Sequence, residues 1–207
     1  MARLPVYLLI DVSASMEGKP IAAVNSGLQT MCAALRADAA TSACAYVSLI
    51  TFSRDAKVPF GLTELAKVNP PTLSIEGDTR LGLGLEKVVE CANNEVVKRT
   101  RTQPNGDYKP LVFIFTDGQP NDDQTDRENA IDKFNNYHWG TVVGFAAGPN
   151  ADHQVLKRLT ENVVTLETTD AASIAQFFEI VSKTTSSAAA NAGNAINILP
   201  AEPSKIG

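Results

Sequence analysis

Three short stretches of this chain are rich in side-chain oxygens: Asp11-Val12-Ser13-Ala14-Ser15, Gly77-Asp78-Thr79-Arg80, and Thr116-Asp117-Gly118-Gln119-Pro120. Alternate residues of an extended segment point the same way, so Asp11, Ser13 and Ser15 can converge on one point. Thr79 offers a third hydroxyl and Asp117 a second carboxylate. Carboxylates and hydroxyls, with no sulfur or imidazole nearby, are the ligands of a hard cation. Mg²⁺ keeps octahedral geometry and retains waters. Asp11, Ser13, Ser15, Thr79 and Asp117, bound directly or through water, would fill most of such a site. Each stretch alone has a plainer reading. Asp-Val-Ser-Ala-Ser can cap a helix, and Asp-Gly is a common turn. The conjunction carries the argument, because each stretch falls at the expected end of a strand or the start of a helix.

The elements that must position them alternate along the chain. Val6–Ile10 is a continuous apolar run ending at Asp11, as in a strand covered on both faces. Pro20 opens a helix with Ile21, Val24, Leu28, Met31 and Leu35 on one side. Ala45–Phe52 reads as a second strand, and Lys57–Leu62 as a shorter, more polar edge strand. A helix is expected over Leu81–Lys98, a strand over Leu111–Phe115 and a helix over Arg127–Tyr137. Further strands are expected at Thr141–Ala146 and Val163–Leu166, and helices at His153–Thr160 and Ala171–Thr185. Pro104-Asn105-Gly106 marks a surface turn. This alternation predicts an α/β fold with a mostly parallel sheet and helices on both faces. Residues 1–186 are expected to form the domain. Residues 187–207, small and polar with a lone Ile196–Leu199 apolar patch, are expected to be a flexible tail.

Composition narrows the function. The net charge of -5 argues against a nucleic-acid partner. No apolar run suits membrane insertion, and the first residues lack a signal-peptide core, so a cytoplasmic protein is expected. Cys32, Cys44 and Cys91 are scattered, without a CxxC pair, and His138 and His153 lie far from them. Three small buried hydrophobes in a reducing compartment fit better than structural zinc. Trp139 reads as an edge of the core. Asp122 and Asp123 read as charge at a helix start, and Lys98, Arg99, Arg101 and Lys109 as a solvated basic stretch.

The motifs resemble the metal-ion-dependent adhesion site of von Willebrand factor A (vWA) domains. Asp11-Val12-Ser13-Ala14-Ser15 is similar to the family's DxSxS motif, Thr79 to its single threonine, and Asp117 in Thr116-Asp117-Gly118 to its TDG aspartate. The resemblance covers roughly residues 4 to 186. It implies a Rossmann-like vWA fold with one short antiparallel edge strand. It also implies a bound Mg²⁺, with Mn²⁺ or Ca²⁺ as substitutes, whose open position takes an Asp or Glu from another protein. Within the family, Asp11–Ile21 and Phe115–Pro120 are similar to bacterial TerY-type proteins of tellurite resistance and stress response. That likeness implies a protein kinase or phosphatase of the same system as partner. The expected function is therefore a non-enzymatic, metal-dependent adaptor.

Rival readings are a metal-dependent phosphatase or hydrolase using Asp11, a nucleotide-binding domain, and a scaffold with no bound metal. The first needs an acid two residues on, where Ser13 stands. The second needs a phosphate-binding Lys where Leu83 stands.

Overall fold

Leu4–Asp11 forms β1, buried along its whole length. Leu4, Val6, Leu8 and Ile10 face one core, and Tyr7 and Leu9 face another. Apolar residues on both faces are what a central parallel strand requires. The computed structural model describes residues 2–98 and 106–191. After β1 come α1 (Lys19–Ala37), α2 (Ala39–Cys44), β2 (Ala45–Phe52), β3 (Ala56–Glu64) and α3 (Leu81–Glu95). Then follow β4 (Leu111–Thr116), α4 (Gln124–Asn135), β5 (Thr141–Ala147), α5 (His153–Leu159), β6 (Val163–Leu166) and α6 (Ala171–Ala190).

The strands form one sheet in the order β3-β2-β1-β4-β5-β6. Every neighbouring pair is parallel except β2 and β3. The chain therefore winds outward from β1, returns to the middle at β4, and winds the other way. Between β1 and β4 the winding reverses, which opens a crevice beyond their carboxyl ends. Helices α1 and α6 cover one face of the sheet, and α3, α4 and α5 the other. The expected α/β Rossmann-like architecture, with an antiparallel edge and helices on both faces, is what the chain adopts.

Several boundaries differ from the sequence expectation. The antiparallel edge strand β3 is nine residues long, and so not short; its exposed first half hides the apolar signal. The short helix α2 was not expected. Its N-cap Asp38 accepts from the Thr41 amide at 2.7 Å, a local signal without apolar periodicity. Helix α3 stops at Glu95, where Val96 turns extended. There the Arg3 guanidinium donates to the Glu95 carbonyl at 2.8 Å and the Val97 amide donates to Asp107 at 2.8 Å. Helix α4 starts at Gln124, because Asp123 accepts from the Thr125 and Asp126 amides. Helix α6 runs to Ala190 rather than Thr185, with Ala189 buried in the first core. Ser186–Ala190 continue the helix, with Ala188, Ala189 and Ala190 of the highest helix propensity. The rest of the expected tail, along with Arg99, Arg101 and the Pro104-Asn105 turn, lies outside the described residues. All three cysteines are free and buried. Trp139 lies at the core edge as expected, its indole nitrogen donating to the Phe134 carbonyl at 2.8 Å. Among the described residues, no helix is long and apolar enough to cross a membrane.

Candidate metal centre

Asp11 is the last residue of β1, fully buried at the sheet's point of reversal. Its carboxylate accepts from the Ser13 amide at 2.8 Å and from the Thr116 hydroxyl at 2.7 Å. Pairing of Ile10 with Phe115 places Asp11 beside Thr116, the last residue of β4. After Asp11 a short 3-10 turn, Ala14–Met16, brings the serines together: the Ser13 and Ser15 hydroxyls are 3.1 Å apart. Ser15 then donates to Asp117 at 2.6 Å, joining the β1 loop to the β4 loop.

A third loop closes the cluster. Gly77 adopts φ +105°, a conformation that other residues avoid. Its carbonyl accepts from the Ala14 amide at 2.7 Å. Next along, Thr79 is held by two backbone bonds with Asn121: its amide donates to Oδ1 at 3.1 Å, and its carbonyl accepts from the Asn121 amide at 3.0 Å. A Cβ built on Gly118 would lie 3.4 Å from the Thr79 hydroxyl and 3.9 Å from that of Ser15. Gly118 thus keeps the space between three loops open. Although Thr79 is in a loop, its side chain is buried, and its hydroxyl has no hydrogen-bond partner among the described residues.

All five residues singled out in the sequence therefore meet at one place. Sequence reasoning missed three supports. Thr116 orients Asp11, and Asn121 fixes Thr79. Asp122 accepts from the Gly82 amide at 2.5 Å and from Arg127, tying the start of α3 to α4. Thr116 and Asn121 sit within four residues of Asp117, so a search for polar neighbours of the motif finds them. Asp123 keeps the expected helix-start role.

Electrostatics make the cluster unusual. Burial pushes the Asp11 carboxyl up to about 6 against the hydrogen bonds from Ser13 and Thr116, and Asp117 pushes in the same direction. Burial also raises Asp117, against the bond from Ser15. Among the described residues, no Lys, Arg or His pairs with either acid. Two buried acids that face each other and hydroxyls lack positive charge, which a cation would supply. Nor is there a group of three or more His, Cys, Asp or Glu side chains among the described residues that could hold a metal. A cation here would depend on hydroxyls for its remaining ligands, and this donor set suits a hard divalent ion.

Solved structures share the fold. The von Willebrand factor type A protein from Catenulispora acidiphila matches with a TM-score of 0.67 at 16% identity, covering 89% of this chain and 43% of that one. Proximal thread matrix protein 1 from the mussel byssus, described with a zinc-occupied MIDAS motif, matches with a TM-score of 0.61 at 20% identity, covering 89% and 46%. A D319A mutant of the PilB minor pilin from Streptococcus sanguinis matches with a TM-score of 0.64 at 13% identity, covering 94% and 64%. This chain spans less than two thirds of each of these proteins. No curated protein matches it. With residues 6–182 matching the von Willebrand factor type A domain, whose members are typically metal-dependent protein-interaction modules, the chain belongs to that family.

Proposed function

We propose that Asp11, Ser13, Ser15, Thr79 and Asp117 hold a divalent cation, Mg²⁺ with Mn²⁺ or Ca²⁺ as substitutes. The chain then acts as a non-enzymatic adaptor for a partner protein's Asp or Glu. The single observation behind this reading is the pair of buried carboxylates, Asp11 and Asp117, which have hydroxyl neighbours and lack a cationic one. The zinc-occupied motif of the mussel protein supports a metal at the equivalent place. A bound cation would supply an exchangeable electrophilic position for a carboxylate oxygen. The chain's own part is to fix the two acids and three hydroxyls and to keep Gly118 clear of them. On motif resemblance, the adaptor belongs to a cytoplasmic bacterial tellurite-resistance or stress-response system of TerY type, with a kinase or phosphatase as partner.

Hydrolysis by Asp11 fits less well. Ser13, two residues on, uses its amide to hold Asp11 and its hydroxyl to meet Ser15, and it has no acid to give a leaving group. Calorimetric titration with Mg²⁺, followed by an acidic peptide with and without EDTA, tests the proposal. Saturable Mg²⁺ binding and EDTA-sensitive peptide binding are expected. Absence of either, or metal-dependent ester hydrolysis above about 1 s⁻¹, overturns it.

A further inference from the structure

The described part of the chain contains six arginines, and four are committed to the fold. Arg3 grips Asp107, Arg36 donates to the Leu65 and Val68 carbonyls, Arg127 to Asp122, and Arg158 to Glu128. The other two, Arg54 and Arg80, donate no side-chain hydrogen bond among the described residues. Both stand beside Thr79. Arg80 follows it directly, and the Arg80 amide donates to the Ser53 carbonyl at 3.0 Å, which brings Arg54 alongside. Asp78 lies 3.9 Å from each guanidinium, too far for a hydrogen bond. It holds the two arginines loosely without using their donors. Their side chains are 68% and 46% exposed.

An arginine with free donors is a ready partner for a carboxylate, because its planar fork matches two oxygens. We infer that Arg54 and Arg80 read a second acidic side chain of the partner, so that the recognised segment is an extended, doubly acidic one. This rests on the metal–carboxylate reading above. In an extended peptide, residues i and i+2 point the same way and lie about 7 Å apart. Arg80 adjoins Thr79, and the Arg54 guanidinium lies beside Gly77. A peptide with one carboxylate on the metal and running over this loop would therefore bring its i+2 residue toward them. Asp123 and Asp126 line a cleft together with Arg80, and their charge disfavours a partner carboxylate inside that cleft.

Terminally blocked Gly-Asp-Gly-Gly and Gly-Asp-Gly-Asp peptides, titrated by NMR in millimolar Mg²⁺, distinguish the outcomes. The two-acid peptide is expected to bind about threefold to tenfold more tightly, in line with exposed ion pairs. That advantage should shrink as salt is raised. In R54Q/R80Q the advantage is expected to collapse, while one-acid affinity and melting temperature stay as in wild type. An advantage equally large in R54Q/R80Q, or none in wild type, overturns the inference alone. Failure of both peptides to bind wild type in Mg²⁺ overturns the metal–carboxylate reading and this inference together.

Discussion

A buried acid lies at each end of β1, and the two ends treat it differently. At the amino end, Asp107 accepts two bonds from the Arg3 guanidinium, at 2.8 and 2.6 Å, and one from the Val97 amide. Glu95 accepts from the Tyr7 hydroxyl and the Leu62 amide. The buried acid there, Asp107, has a cation to balance it, and Glu95, which has only neutral donors, is half-buried. At the carboxyl end, Asp11 and Asp117 face three hydroxyls, one amide and each other. Partnered acids tie β1, β3, α3 and the loop before β4 together. Acids left short of positive charge mark where something else binds. Buried acids are costly wherever they lie, so the difference in partners, rather than in burial, separates a structural site from a binding one.

The largest expected effect breaks the carboxyl end. Asp11→Ala should lose measurable Mg²⁺ binding by calorimetry. Its stability should stay within about 1 kcal/mol of wild type, because relief from a buried acid offsets two lost hydrogen bonds. Undiminished Mg²⁺ affinity would remove Asp11 from the site. The mirror experiment breaks the amino end. Asp107→Ala leaves a half-buried Arg3 without its carboxylate and should cost about 1–3 kcal/mol in urea unfolding. Mg²⁺ affinity should be unchanged, and a parallel loss of it would mean that the two ends are not separate devices.

Next in size is a pair of changes at Thr79. Thr79→Val keeps the shape and removes the unpartnered hydroxyl. Mg²⁺ affinity should fall about tenfold, as for loss of a supporting polar group at a metal site, with little change in melting temperature. Thr79→Ser keeps the hydroxyl and deletes a buried methyl, so it should cost about 1 kcal/mol of stability and spare the metal. The reverse pattern would make Thr79 a packing residue.

The sequence shows the carboxyl end more clearly than the amino end, and the reason is local. Asp11, Ser13 and Ser15 are close along the chain, and Asp117 ends an apolar run, so spacing alone points to them. Strands β1, β2 and β4 are legible for the same reason: continuous apolar runs between polar loops leave no other place for their side chains. By contrast, the lock of Arg3, Asp107 and Glu95 joins residues about a hundred positions apart. No spacing in the chain signals such a contact. Nor does apolar periodicity find α2, whose small residues and Asp38 cap are a matter of single hydrogen bonds. The supports Thr116 and Asn121 fall between these cases. They lie within or close to the motif, so a search for its polar neighbours finds them. Which residue each one supports follows only from strand register and loop contacts.

The smallest effects concern two buried hydroxyls without a partner among the described residues, Ser53 and Thr185. An unpaired buried hydroxyl costs folding energy wherever it lies, so removing it should stabilise the chain by up to about 1 kcal/mol. Their surroundings differ. Thr185 is on α6 next to Ser186, which bonds Thr41 ahead of β2, so it belongs to the amino end of the sheet. Ser53 follows β2 at the carboxyl end. Its carbonyl holds the Arg80 amide, and the preceding Phe52 carbonyl holds the Val12 amide, both at 3.0 Å. It thus sits between the loops that bear Asp11 and Thr79. If an unpaired group at this end signals binding, its hydroxyl supports the occupied site through ordered water. Thr185→Val should raise the melting temperature and leave Mg²⁺ affinity alone. Ser53→Ala should raise the melting temperature without metal but lower Mg²⁺ affinity about threefold, a weaker loss than at a direct neighbour of the ion. Equal Mg²⁺ affinity in Ser53→Ala and wild type would place Ser53 with Thr185 as a packing defect. The contrast between the two ends would then rest on the acids alone.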